Sequence, residues 1–270
     1  MTDSITAHMV VKNEDRFIWY AVNSILSHVT ELIVFDTGST DKTIKVIESI
    51  KDKKIKFLKK SVNSPDALVK LRIEQIRLTK TPWIWIIDGD EVYPQNLGQK
   101  VVQAIRYNPK AYGLILHRYD LLGDIYHYQD ERVGAYDQFG KKGHYVMRLI
   151  NKSVIPGLTI KGIYPIEYYA FGNGKPIKTA DKEKFEFIEE RLWHAMYLKR
   201  STNGENLSDT LHRQKYKIEL GKSIDPKLIP EIFFQDRPEI VPDVSQKRSI
   251  FYTLLATMLT PLKILKRQFL

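Results

Sequence analysis

Asp88 and Asp90 stand one glycine apart, directly behind the apolar run Trp83-Ile84-Trp85-Ile86-Ile87. Two carboxylates at that spacing can turn toward one cation, and Gly89 between them allows a ligand to come close to the backbone. Hard oxygen donors with few other ligands favour Mg²⁺ or Mn²⁺. An acidic turn without a ligand would carry the same residues. Metal binding is the better reading because this triplet closes a strand that is apolar throughout. Glu91, next in the chain, is placed to support the pair.

A second acidic turn, Asp36-Thr37-Gly38-Ser39-Thr40-Asp41, follows the apolar stretch Leu32 to Phe35 and leads into a helix start. Such a turn can seat a nucleoside or a phosphate, or it can simply cap the helix. Arg72 lies between Leu68 and Ile76 at four-residue spacing, so its stem belongs to the apolar face of a helix. A guanidinium there wants an anion, either a diphosphate or a rim aspartate, unless it snorkels to the helix edge. His194, after Trp193, is far from both turns in sequence, and a lone histidine is more often structural than a ligand.

These residues need a scaffold. Ala7 to Val11, Leu32 to Phe35, Ile55 to Leu58 and Trp83 to Ile87 read as strands. Between them, Phe17 to Leu26, Ile44 to Ile50 and the segment after Ser64-Pro65-Asp66 read as helices, the first capped at Asn13 and the third at Ser64. Alternation of this kind predicts an α/β fold with a mostly parallel sheet and both acidic turns on the rim where its strands end. From Tyr112 the pattern becomes tyrosine-rich and irregular (Tyr119, Tyr126, Tyr128, Tyr136 and Tyr145). Ordinary packing is the commoner use of such rings. A charged helix is expected through Arg191, Trp193 and His194, and another from Leu207 to Leu220.

A chain of 270 residues, 43% hydrophobic and 11% aromatic, can bury a large core. Its lack of cysteine excludes disulfides and thiolate chemistry, and with no signal-peptide pattern at Met1-Thr2-Asp3-Ser4 it suits the cytoplasm. The net charge of +10 asks for an anionic partner: nucleic acid, lipid or phosphate-bearing substrate. Lys247, Arg248, Lys263, Lys266 and Arg267 flank the apolar run Ile250 to Leu259, which Pro261 should break. That run is too short to span a membrane. It suits an interfacial segment on an anionic membrane or a helix docked on the core.

Taken in order, Val11-Lys12-Asn13-Glu14, the strand into Asp36-Thr37-Gly38-Ser39-Thr40-Asp41-Lys42-Thr43, and Trp83 through Asp88-Gly89-Asp90-Glu91 resemble glycosyltransferase family 2, with its GT-A fold. The likeness is strong over residues 5–95, patchy to Glu167 and nearly absent after Leu220. It implies inverting transfer from a nucleoside diphosphate sugar, a UDP-sugar above others, to a hydroxyl of a glycan or lipid-linked glycan, with Mn²⁺ or Mg²⁺. Residues 1–221 would be the catalytic domain, with donor binding in 1–95 and the acceptor side in 96–221, and residues 222–270 a basic extension suited to peripheral placement on the inner membrane face. The resemblance assigns Asn13, Glu14, Asp36, Gly38, Ser39, Arg72, Asp88 and Gly89 to the donor, and Asp90 and His194 to the metal. Ile73 departs from the asparagine often found beside the basic position. The family's usual Glu-Asp pair is missing from the acceptor half, and Glu167, after Arg148-Leu149 and Gly162, is the candidate base. Two rivals are a nucleotidyltransferase, which lacks its glycine-rich loop here, and a basic nucleic-acid-binding module, which leaves the acidic rim without a purpose.

Overall fold

In the computed structural model, residues 3–203 and 217–268 are described. Ile5–Val11 (β1), Glu31–Asp36 (β2), Ile55–Lys59 (β3) and Trp83–Ile87 (β4) pair in parallel in the order β3-β2-β1-β4. Ile18–Ile25 (α1), Thr43–Ser49 (α2) and Pro65–Leu78 (α3) form the crossovers. The chain steps outward from β1 to β3 and then returns to the other side of β1, so the strand order reverses between β1 and β4. In such sheets a crevice opens beyond the strand ends at that point.

The expected cap of α3 is present: Pro65 opens the helix and the Ser64 side chain accepts from the Ala67 amide at 3.2 Å. The cap expected at Asn13 is not. α1 starts after Phe17 without a side-chain cap, and Asn13, at φ 57°, turns its amide oxygen across to the Thr40 amide at 2.8 Å.

Glu91–Val92 (β5), Gly113–Asp120 (β6), Tyr145–Asn151 (β7) and Phe185–His194 (β8) extend the sheet as β4-β7-β6-β8-β5, with Gln95–Tyr107 (α4) packed over β8. β7 runs antiparallel to both neighbours, whereas β6 and β8 are parallel. The segment through Arg191 and Trp193-His194 is thus a strand, correcting the expected helix. Phe185, Ile188 and Leu192 are buried, followed by Trp193 and His194, and a register shift between Ile188 and Arg191 accommodates the three-and-four spacing of the first three, which imitates a helical stripe. The helix expected over Leu207 to Leu220 lies outside the described residues, except for 217–220, which have no regular structure.

The principal core joins α1, α4 and one face of the sheet, and it runs past residue 221 through Ile224, Ile229, Phe233, Val241 and Val244. A second cluster on the other face holds Val69 and Ile76 of α3, and among the described residues past 221 Ile250–Gln268 (α5) adds none to the principal core. α5 continues through Pro261 instead of ending there, although proline removes one hydrogen bond of the helix. No helix among the described residues is long and apolar enough to cross a membrane.

Candidate active site

At the β1/β4 reversal lies a cleft of about 280 Å³, lined by Lys12 and Glu14 after β1, Thr37 after β2, Asp88, Gly89 and Asp90 after β4, and Arg72, Tyr136, Tyr164, His194, Met196 and Arg200. Register explains how the distant histidine arrives. β8 lies between β6 and β5, so His194 is opposite Glu91 on one side and Asp120 on the other. The Ala195 amide then donates to the Asp90 carbonyl at 2.9 Å.

Asp88 and Asp90 have different partners. Arg148, at a bulge in β7, donates to Asp88 Oδ2 at 2.6 Å and through Nε to Glu91 Oε1 at 3.1 Å. Glu91 is fully buried, and its other oxygen accepts from the Tyr93 hydroxyl at 2.9 Å. Desolvation would raise the Asp88 pKa, but Arg148 first, then Arg72 and His194, hold it well below the usual carboxylate range. Glu91 goes the other way, because its burial outweighs the pull of Arg148.

Asp90 is 1% exposed, not an open rim residue. Its Oδ2 lies 3.6 Å from His194 Nε2 and 3.5 Å from Arg200 Nη1, and the same guanidinium donates to Glu14 Oε1 at 2.9 Å. His194 Nδ1 meets Asp120 Oδ1 at 3.1 Å. Burial alone would lower the His194 pKa; Asp90 and the Asp120 bond more than offset it, and the value is raised. Burial pushes Glu14 well up against the opposing Arg200, with Asp90 and Asp88 adding to the rise. Arg200 is held over the cleft because its neighbours are pinned to the first two loops: Thr202 N donates to Asp15 at 2.8 Å and Ser201 Oγ to Asp41 at 2.6 Å.

Gly89 is favoured by packing, since a Cβ there would sit 3.0 Å from Glu14 Cγ and from Val11 Cγ1 and press on both side chains. Around the second turn, Asp36 Oδ1 accepts from the amides of Gly38 and Ser39, both at 3.0 Å, and Gly38 takes φ 97°. Asn13 N donates to Ser39 Oγ at 2.9 Å. Asn13, Gly38 and Ser39 thus brace one another. Asp36 Oδ2 is buried with no hydrogen-bond partner among the described residues, and Thr37 rather than Asp36 lines the cleft.

Arg72 lines the cleft, yet its Nε lies 3.7 Å from Glu167 Oε1, so the two candidates drawn from separate segments meet. Glu167 is not part of the cleft wall, but Tyr164 of the same loop is. Most tyrosines of the second half pack: Tyr119 against Trp193, Tyr145 on His117, and Tyr126 by its hydroxyl to the Ser245 carbonyl at 2.6 Å. The sequence reading gave no role to Asp120, Arg148 or Arg200. Nothing local marks Asp120 or Arg200, Arg148 enters only as part of the stretch before Glu167, and long-range pairing of the strands and loops brings all three to the site.

The family model for glycosyl transferase family 2 matches residues 6–158, more than half of the chain and all of the donor-side sheet. The chain belongs to this family. The sheet described above is accordingly of GT-A type, and the nucleotidyltransferase and nucleic-acid-module readings fall away. Among curated proteins the chain is similar to the SPbeta prophage-derived glycosyltransferase SunS of Bacillus subtilis, 31% identical over 106 residues, covering 39% of this chain and 24% of SunS. It is also similar to an uncharacterized glycosyltransferase of Rickettsia bellii, 30% identical over 152 residues, 56% of this chain and 47% of that one. The family 2 chain thus spans from about a quarter to about half of the length of these relatives. Among solved structures it is loosely similar to glucosyl-3-phosphoglycerate synthase from Mycobacterium tuberculosis, with 17% identity, a TM-score of 0.44, and coverage of 71% of this chain and 72% of that one.

Proposed function

We propose that this family 2 chain is an inverting, metal-dependent glycosyltransferase, moving a sugar from a nucleoside diphosphate sugar, a UDP-sugar in the first instance, to a hydroxyl of a glycan or lipid-linked glycan in the cytoplasm. The observation that carries this is the meeting of Asp88, Asp90 and His194 at the β1/β4 reversal, beside Arg72 and Arg200. The donor set suits Mn²⁺ or Mg²⁺: one atom each from Asp88, Glu91 and His194 lies within 4.8 Å of the other two. Glu91 is occupied by Arg148 and Tyr93, so we assign the metal to Asp90 and His194, with Asp88 beside them. When bound, the ion would offset the charge growing on the leaving diphosphate.

The protein's own groups supply the rest. Asp36 Oδ2, buried behind Thr37 of the cleft wall and without a hydrogen-bond partner among the described residues, is assigned to the nucleoside, and Asp88, held ionised by Arg148, to the ribose. Arg72 and Arg200 bring positive charge to the diphosphate end of the cleft. The attacking hydroxyl must lose a proton to a carboxylate. Glu167 is assigned that role: its Oε2 has no partner among the described residues, and its loop sends Tyr164 into the cleft.

The test is a panel of UDP, GDP and dTDP sugars assayed for hydrolysis and transfer with Mn²⁺ and with a chelator. One sugar should be turned over only with the metal. Asp90→Asn keeps the packing of this buried residue and should reduce turnover by on the order of a hundredfold or more, as expected for lost electrostatic stabilisation. Turnover within a few-fold of the parent, or turnover in the chelator, would remove the metal from Asp90.

A further inference from the structure

α5 is mounted with its apolar side outward. Successive residues of a helix turn by about 100°, so Ile250, Leu254, Met258, Leu262 and Leu265 form one stripe, with Phe251 beside it. All are exposed, from 53% at Leu265 to 81% at Ile250. The opposite face carries the attachments. Tyr252 donates to the Lys217 carbonyl at 2.9 Å, Thr260 Oγ1 accepts from the Leu220 amide at 2.9 Å, Lys263 reaches the Ile218 carbonyl at 3.2 Å, and Arg267 binds both oxygens of Glu219 at 3.0 and 2.6 Å. Ala256 is the one buried residue of the helix among those described. An amphipathic helix on a water-facing surface normally hides the apolar stripe and shows the polar one.

We infer that α5 lies in the plane of an anionic lipid surface and inserts this stripe among the acyl chains while its polar face stays bolted to the enzyme. Charge selects lipid over a second copy of the chain or a protein groove. Arginine and lysine outnumber acidic residues by 42 to 32, and basic residues stand at both ends of the stripe, Lys247-Arg248 at one and Lys266 at the other, the neighbouring Arg267 being met by Glu219. Two such positive ends would repel their copies across a twofold pairing, whereas anionic headgroups attract both. The helix cannot span a membrane, so the fitting geometry is interfacial. Lys217, at the start of the attachment segment, sits 5.0 Å over the ring of Tyr197, next to Met196 of the cleft wall. A bilayer under α5 would therefore lie on the side of the cleft reached through residues 196–197.

The test is co-sedimentation of the full chain with phosphatidylcholine vesicles, with and without phosphatidylglycerol, alongside sedimentation velocity without lipid. The parent should pellet only with phosphatidylglycerol and release as salt rises. Leu254→Glu/Met258→Glu, on positions that are 60% and 72% exposed, should bind at least about tenfold more weakly with an unchanged thermal melt. Lys247→Glu/Lys266→Glu should lose the preference for phosphatidylglycerol. Absence of parent binding to either vesicle, equal binding by the apolar variant, or a lipid-free dimer that the apolar variant abolishes would overturn the proposal, the last by assigning the stripe to a second copy. Vesicle binding is read without any sugar donor, so its result stands apart from the transferase assay.

Discussion

The imidazole of His194 stands between two carboxylates, Asp120 at 3.1 Å from Nδ1 and Asp90 at 3.6 Å from Nε2. With Nδ1–H donated to Asp120, Nε2 keeps its lone pair toward Asp90, the arrangement by which a carboxylate fixes the tautomer of a metal-binding histidine. Asp120 is itself secured by Arg118, whose Nε is 2.9 Å away, and its pKa is held low: desolvation opposes this, while the His194 bond and Arg118 prevail. Asp120→Asn keeps the shape, but its amide can donate as well as accept, which permits the wrong tautomer. We expect a loss of about 10–100-fold in Mn²⁺ affinity and in turnover. Manganese titration followed by electron paramagnetic resonance would check it, with metal-free nucleotide binding as the control. Unchanged Mn²⁺ affinity would reduce Asp120 to a packing role.

Between elements, the contact that matters most for assigning roles is Arg72 of α3 with Glu167 of the 162–167 loop. Both side chains are largely buried, at 17% and 14% exposure. Arg72→Met should leave the Glu167 carboxylate without its counter-ion at a cost of about 1–2 kcal/mol, roughly 2–6 °C in Tm. Arg72→Met/Glu167→Gln should recover most of that. If Arg72 also holds the diphosphate, the single variant weakens nucleotide binding by about 10–100-fold. Glu167→Gln alone should stop transfer without harming donor affinity if Glu167 is the base; near-parental transfer would end that assignment. This pairing could not be read from the sequence, because nothing local to either residue names the other. What could be read was local. Short apolar runs, unbroken from Leu32 to Phe35 and from Trp83 to Ile87 and interrupted by His8 and Lys56 in the other two, announced β1 to β4, and Ser64-Pro65 announced α3, since strand pattern and helix capping are set by neighbours within a few residues. The 185–194 segment was misread for a local reason too, because its bulge spaces Phe185, Ile188 and Leu192 as a helix would. His194 was legible only through family likeness. Its place beside Asp90 depends on β5–β8 pairing across about a hundred residues of chain, and Arg200 and Asp120 depend on the same long-range register.

On the scale of the whole molecule, acid stability should be controlled from the middle of the sheet. His8 of β1 pairs with Ile33 of β2 and Ile86 of β4, and is 2% exposed. Burial first, then the nearby charges of Arg72 and Lys152, press its pKa from 6.5 down to about 3. In that interval the unfolded chain takes up a proton that the folded chain refuses. Stability therefore falls as pH drops below about 6.5 and stops falling on this account near pH 3, at a slope approaching about 1.4 kcal/mol per pH unit. The carboxylates held low by their partners, Asp88 and Asp120, act later: their contribution is present above the ordinary aspartate pKa of 3.8 and is lost as pH falls below it. The two limbs can be separated. His8→Gln puts an uncharged amide where Nε2 now meets the Thr79 hydroxyl, and it cannot take up the proton. Denaturant unfolding of parent and variant at pH steps from 7 to about 3 should show the parent losing on the order of a few kcal/mol more than the variant between about pH 6.5 and 4, the variant keeping the smaller response of His117, whose pKa burial lowers to about 4. Below about pH 4 both should fall together, as the carboxylates protonate. Parallel curves across the upper interval would mean that His8 carries no proton linkage.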